Sequence, residues 1–192
     1  MKLTVLGSSS KGNCYILEGK SETLLIEAGI RISEVKQALD FDLKKVIGCF
    51  VTHKHNDHSG YIKDYLAAGI QVMALESVFK SKNLGLLEGK SIEPGRGYII
   101  GNFRVYAFEV THDVPCLGFV IDHQECGRIL FLTDTMNCKY TFTELTQVMI
   151  ECNYCDEVLD SNIIEGKIPA FMRQRLLSTH MELQTTKKVL SN

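Results

Sequence analysis

At 192 residues the chain has the length of one domain and enough material for a substantial core. Hydrophobic residues make up 45% and charged residues 23%, a balance that excludes disordered, collagen-like and coiled-coil organisation. The 21 basic and 23 acidic residues leave a net charge of −2, so any contact with nucleic acid must come from a local surface rather than from global attraction. In chain order, Leu3–Leu6, Cys14–Leu17 and Thr23–Ile26 are short β-rich runs separated by Gly, Ser and Asn clusters, the pattern of a meandering sheet. A short helix is expected from Ser33, which stands near its N-cap, and a buried strand over Val46–Thr52. Tyr61–Ala68 reads as a helix stopped by Gly69, and Gln71–Leu75 as the strand after it.

Gly101-Asn102 suits the two-residue turn of a hairpin between Tyr98–Ile100 and Phe103–Glu109. Strands are predicted at Leu117–Ile121, Ile129–Leu132 and Val148–Cys152. A helix is predicted from Thr141, where Thr141 and Glu144 have the spacing of a capping box. Two helical stretches, Ala170–Leu177 and Leu183–Leu190, complete the pattern. With no repeat and no linker, residues 1–192 read as a single domain of the α/β (α+β) class, built on mixed sheet covered by helices.

No apolar stretch reaches the ~18–20 residues that span a bilayer, and the first ten residues lack the apolar run of a signal peptide, so no membrane partner and a cytoplasmic location are expected. Seven cysteines, an odd number at irregular spacing, read as buried reduced thiols, and Cys152-Asn153-Tyr154-Cys155 has no second pair to close a zinc site.

The chemistry concentrates in Thr52-His53-Lys54-His55-Asn56-Asp57-His58-Ser59-Gly60, which follows a buried strand and precedes a helix. Loops at the carboxyl ends of strands are where layered α/β folds hold their ligands. In an extended segment His53 and His55 project to one side, and imidazole with carboxylate is a zinc ligand set. His112 and Asp134 each stand at the end of a predicted strand and complete a two-metal constellation. His123, in Asp122-His123-Gln124-Glu125-Cys126-Gly127, is expected in a solvated hairpin turn.

The pattern His53-x-His55-x-Asp57-His58, then His112, then Asp134 resembles the signature of the metallo-β-lactamase superfamily. The Gly7–Tyr15 segment, the His112-Asp113-Val114-Pro115 turn and Glu151-Cys152-Asn153-Tyr154 resemble its WalJ/YycJ-like, exonuclease-like branch, bacterial or phage. The resemblance implies an αββα four-layer sandwich of two mixed β-sheets flanked by helices. It also implies a first metal held by His53, His55 and His112, a second by Asp57 and His58, and Asp134 as the bridge. The cofactor would be zinc, one or two ions, or manganese. Binding to such ions lowers the pKa of water from ~15.7 to about 7, and the resulting metal-bound hydroxide is the nucleophile of a hydrolase, with Asp57 orienting it or moving its proton. Histidine at 55 and at 58 favours two-metal hydrolysis over redox or antibiotic-hydrolysing chemistry.

Two departures stand out. Leu25-Ile26-Glu27-Ala28-Gly29 carries glutamate where the family usually supports its ligands with aspartate, a shift of roughly one ångström in carboxylate position. The chain also ends without the strand and histidine that usually complete the second metal set, so it reads as C-terminally short, and His180 is the candidate substitute. An exposed sheet edge there would invite a homodimer. The leading expectation is a metal-dependent phosphodiesterase or nuclease, with Lys11 and Lys54 flanking the substrate and five basic residues over 167–188 against Glu182 alone. The alternatives are a glyoxalase II-like hydrolase of a small thioester or lactone, and a truncated, non-catalytic metal-binding domain.

Overall fold

A computed structural model describes residues 1–85 and 88–191. The elements in chain order are β1 (Lys2–Ser9), β2 (Gly12–Glu18), β3 (Thr23–Ile26), α1 (Ile32–Ala38), β4 (Val46–Phe50), α2 (Asn56–Ser59), α3 (Ile62–Ala67), β5 (Val72–Ala74), α4 (Glu76–Ser81) and β6 (Lys90–Ser91). They continue with β7 (Arg96–Ile100), β8 (Phe103–Val110), β9 (Cys116–His123), β10 (Gly127–Leu132), β11 (Gln147–Ile150), α5 (Asp156–Ile164), α6 (Phe171–Thr179) and α7 (Leu183–Leu190). One sheet has the order β1-β2-β3-β4-β5-β6, antiparallel through β3 and parallel from there on. The other has the order β11-β10-β9-β8-β7, antiparallel except for the parallel β10–β11 pair.

The two-residue periodicity of the strands assigns the layers. Tyr15, Leu17, Leu24, Ile26 and Phe50 point from the first sheet into a core shared with Phe103, Val105, Ala107, Phe119, Ile121 and Phe131 of the second. Their neighbours Cys14, Ile16, Leu25, Cys49 and Val51 face the other way, onto Val35 of α1, Leu39 at its C-cap, Ile62 and Tyr65 of α3 and Phe79 of α4. The outer face of the second sheet, through Phe108, Val110, Leu130 and Leu132, is covered by Met181, Val189 and the loop side chains Phe142 and Leu145. Burial on both faces explains why these strands read as continuous apolar runs. The layers are those of an αββα sandwich. No helix among the described residues is long and apolar enough to cross a membrane.

The hairpin at Gly101-Asn102 has the expected register, with Ile100 opposite Phe103, and Gly101 takes the left-handed backbone (φ 55°) that the turn requires. Several expectations fail. No helix starts at Thr141; Phe142 and Leu145 pack on the sheet from an irregular loop, Glu144 is left-handed (φ 59°), and Arg128 binds the Thr143 carbonyl. Tertiary packing there overrides the local capping-box spacing. His123 is the last residue of β9 and buried rather than solvated. Its Nε2 lies 3.0 Å from Glu22 Oε1, and Nδ1 accepts from the Glu125 amide. The last strand stops at Ile150, before Cys152. Of the cysteines, Cys14, Cys49 and Cys116 are buried, but Cys152 is exposed and Cys126, Cys138 and Cys155 are only partly covered. Helices α4 and α5 lie where no element was predicted.

Candidate metal centre

β8 and β10 both run antiparallel to β9, and β11 runs parallel to β10, so these three strands point the same way, as do β3 and β4 of the first sheet. The functional side chains all follow the carboxyl ends of those strands: Glu27 after β3, His53 to His58 after β4, His112 after β8, Asp134 after β10 and Glu151 after β11. The loops are held tightly together. Gly29 is obligatory because a Cβ there would lie 1.7 Å from the Asp57 carbonyl oxygen. Asn13 Nδ2 donates to that same oxygen, and Ser59 Oγ to the carbonyl of Lys54 or His55. Thr135, fully buried, ties the His112 loop to the Asp134 loop by accepting from the Thr111 amide and donating to the Thr111 or Asn137 carbonyl. Glu27 and Asp134 are both left-handed (φ 68° and 46°) without being glycine, a strained conformation of the kind that clusters at functional sites.

Four donors converge. His53 Nε2 lies 3.0 Å from His55 Nδ1, His55 Nδ1 lies 3.3 Å from His112 Nε2, and Asp134 Oδ2 is 3.7 Å from His53 Nε2 and 3.8 Å from His112 Nε2. Zinc–nitrogen bonds of ~2.0–2.1 Å put tetrahedral ligands about 3.3 Å apart, so these edges bracket a metal's coordination shell. A second group shares Asp134: His58 Nε2 is 3.2 Å from Asp134 Oδ2 and 3.5 Å from Asp57 Oδ2. A third set, Asp134, Glu151 and His180, offers donors within 4.8 Å of one another.

The other nitrogen of each imidazole identifies its tautomer. His112 Nδ1 faces the Thr179 carbonyl at 3.0 Å, which can only accept, so Nδ1 carries the proton and Nε2 keeps its lone pair for the site. Thr52 Oγ1 donates to Glu27 Oε1 at 2.6 Å and therefore accepts from His53 Nδ1 at 2.9 Å, again freeing Nε2. His55 turns Nε2 toward Asp113 (3.5 Å) and Nδ1 inward. His58 Nδ1 contacts Glu27 Oε1 at 3.1 Å, at an angle too poor for a good hydrogen bond, and Nε2 faces the site. His53 and His112 are thus oriented by hydrogen bonds on the outer nitrogen, the arrangement that metal-ligating histidines have, and His55 and His58 each have a carboxylate near theirs.

Charge in the metal-free protein is shared unevenly. Burial opposes protonation of His58, yet Glu27 and Asp134 together push its pKa up to about 10. Burial and the His58 cation hold His53 well below the usual imidazole range. Burial alone would raise the Asp134 carboxyl, but His58 and His53 hold it well below the usual carboxylate value. His58 has a folded pKa above its ordinary 6.5, so its stabilising effect is complete below pH 6.5 and is lost as pH rises through about 10. Urea denaturation in chelator at pH 6.5, 8 and 10 is expected to show a decline on the order of a few kcal/mol, and a flat profile would contradict this pairing.

A cleft of about 660 Å³ opens above these groups, with Ser8–Ser10 on one side and Met172, Arg175, Leu176 and Thr179 of α6 on the other. His180 caps α6 and pairs its Nδ1 with Glu151 Oε2 at 3.0 Å, while Glu151 Oε1 accepts from the Thr135 amide. Burial raises the Glu151 carboxyl; it also opposes protonation of His180, but Glu151 overcomes this and raises the imidazole. The pair can exchange a proton with a group in the cleft. Lys11 lies in an adjoining hollow beside Asp57, and Lys54 is exposed outside the cleft lining. Of the basic residues over 167–188, Lys167 is paired with Glu165 and Arg173 with Asp160. Thr52 and Thr179 had no sequence signal of their own, Arg175 was one of the five basic residues over 167–188 without being singled out, and Glu151 stood out only as part of a resembling segment.

The profile of the metallo-beta-lactamase superfamily matches residues 9–137, from the β1–β2 turn past Asp134. The chain belongs to the metallo-β-lactamase superfamily. It is 26% identical over 193 aligned residues to the exodeoxyribonuclease WalJ of Streptococcus pneumoniae, covering 92% of this chain and 70% of that protein. Among solved structures, the metallo-beta-lactamase fold protein YhfI from Bacillus subtilis superposes with a TM-score of 0.71 at 16% identity, over 97% of this chain and 80% of that one. A diphosphatase of the PhnP family gives 0.69 at 16% identity, over 98% and 80%. The short form of human tRNase Z gives 0.65 at 15% identity, over 100% and 88%. The superfamily fold expected from the histidine pattern is therefore the fold of this chain.

Proposed function

We propose that residues 1–192 act as one unit and that the protein is a divalent-metal-dependent phosphodiesterase cleaving nucleic acid. The observation that carries this reading is the set of four histidine rings whose inner nitrogens converge with Asp134, with His53 and His112 fixed by hydrogen bonds on their outer nitrogens. The resemblance to an exodeoxyribonuclease supplies the substrate class. His53, His55, His112 and Asp134 would hold one ion, and Asp57, His58 and Asp134 the other. Zinc suits the nitrogen-rich set, and manganese is the alternative. When bound, such ions supply Lewis acidity and acidify water for attack at neutral pH.

The protein's own residues do the rest. Glu27, acting through Thr52, and the Thr179 carbonyl hold the outer protons of His53 and His112 and so leave the inward nitrogens of those two rings free. Asp57, beside His58 and partly open to the cleft, orients the attacking water and takes its proton. His180, charged by virtue of Glu151, delivers a proton to the leaving oxygen and is then reprotonated through that carboxyl. With Mn²⁺ or Zn²⁺ the protein is expected to degrade an oligodeoxynucleotide. Asp57→Ala should lower the rate by about 10²–10⁴ without unfolding the chain. Undiminished cleavage by that variant would remove Asp57 from the machinery.

A further inference from the structure

The cleft wall opposite the β1–β2 turn is one face of α6, with Met172, Arg175, Leu176 and Thr179 at helical spacing. Arg175 is the only lysine or arginine among the described residues lining the cleft, and its lining acids are Asp57, Asp113, Asp134 and Glu151. The two arginines of α6 have different fates. Arg173 is clamped by both oxygens of Asp160, at 2.7 and 3.4 Å. The Arg175 guanidinium, exposed at the cleft, has no ion pair and no hydrogen bond among the described residues. Its helix is anchored to the metal centre, because the Thr179 carbonyl faces His112 and Thr179 Oγ1 donates back to the Arg175 carbonyl.

We infer that Arg175 is a substrate-binding residue that holds a non-scissile phosphate of a nucleic-acid strand whose scissile phosphodiester lies at the metal centre. This deepens the function proposed above and rests on it. Two divalent ions would offset the four carboxylates of the lining, leaving Arg175, together with the His180 imidazolium, as the cleft's uncompensated positive charge. A guanidinium without a partner at a site so filled meets a phosphate with a planar fork of donors, and Met172 and Leu176 beside it add no competing acid. A neutral thioester or lactone would give this cation nothing to bind. Neither Lys11 nor Lys54 takes that place, since neither lines the cleft.

The test compares two phosphodiesters. An oligodeoxynucleotide has phosphates on either side of the bond cut, whereas bis(p-nitrophenyl) phosphate has none. Arg175→Ala is expected to lower kcat/KM on the oligonucleotide by ~10-fold or more relative to its effect on bis(p-nitrophenyl) phosphate, chiefly through KM. In parallel, fluorescence anisotropy with a cleavage-resistant phosphorothioate oligonucleotide, in Mn²⁺, should show weaker binding and a log–log salt slope shallower by ~0.7, the value of one single-strand phosphate contact. Arg175→Lys should keep most of that slope. If the unaltered protein cleaves the oligonucleotide and Arg175→Ala affects both substrates equally, or leaves binding and salt slope unchanged, this inference fails alone. If the unaltered protein neither binds nor cleaves the oligonucleotide in Mn²⁺ or Zn²⁺, the proposed function fails and takes this inference with it.

Discussion

An Asp134→Ala variant is expected to lose hydrolysis by at least ~10³-fold and to retain no divalent ion through dialysis. Asp134 belongs to all three groups of candidate ligands, with Oδ2 3.2 Å from His58 Nε2, 3.7 Å from His53 Nε2 and 3.8 Å from His112 Nε2. Removing it leaves the first set with three imidazoles and no anion. The second is left with Asp57 and His58 alone. Lewis-acid stabilisation of the transition state is worth several kcal/mol, and each 1.36 kcal/mol is tenfold in rate, which sets the size of the loss. Asp134→Asn keeps the shape and one acceptor oxygen but not the charge, so it should hold the metal of the three-histidine set weakly and lose the other. Elemental analysis after dialysis, beside the rate, checks both variants. Full metal content in Asp134→Ala would show that the three-histidine set suffices and that the bridging role is wrong.

The fold was legible where burial left a periodic trace. The runs Cys14–Leu17, Thr23–Ile26 and Ile129–Leu132 are apolar because sheets or helices cover both their faces, and the hairpin at Gly101-Asn102 declares itself by a residue that must be left-handed. The candidate ligands stood out for a related reason: His53, His55, Asp57 and His58 fall within six positions, and His112 and Asp134 stand just past strands that could be read. What orients them was hidden. Thr179 sits 67 positions from His112, and nothing local distinguishes a carbonyl that fixes a tautomer from one that does not. His123 misled in the same way. Its place between two predicted strands suggested solvent, whereas its partner Glu22 lies 101 residues away across the sheets. The Thr141 spacing failed in the opposite sense, as a correct local signal outweighed by aromatic packing of Phe142 on Phe108.

Glu27→Gln should separate folding from metal binding. The wild-type carboxylate is fully buried, accepts from the Thr52 amide at 3.2 Å and the Thr52 hydroxyl at 2.6 Å, and meets His58 Nδ1 at 3.1 Å. Because Thr52 Oγ1 in turn accepts from His53, one carboxylate bears on a ring in each candidate metal set. The extra methylene relative to aspartate is thus absorbed, since the longer side chain reaches both Thr52 and His58. Alanine would strand the Thr52 donors and the His58 nitrogen in a dry interior. That should destabilise the metal-free protein by about 3–5 kcal/mol, the cost of breaking a buried charge pair. Glutamine keeps an oxygen for the Thr52 amide and, where Oε1 stands, presents an N–H to His58 Nδ1 and to the Thr52 hydroxyl. It thereby favours the tautomer with its proton on Nε2, the nitrogen that faces Asp134 and Asp57. The Gln variant should therefore unfold close to the wild type in metal, yet bind the second ion ~10–100-fold more weakly, the usual effect of losing an outer partner. Equal affinity for both ions in Glu27→Gln, measured by competition with a chelator, would mean that His58 is not oriented by this carboxylate.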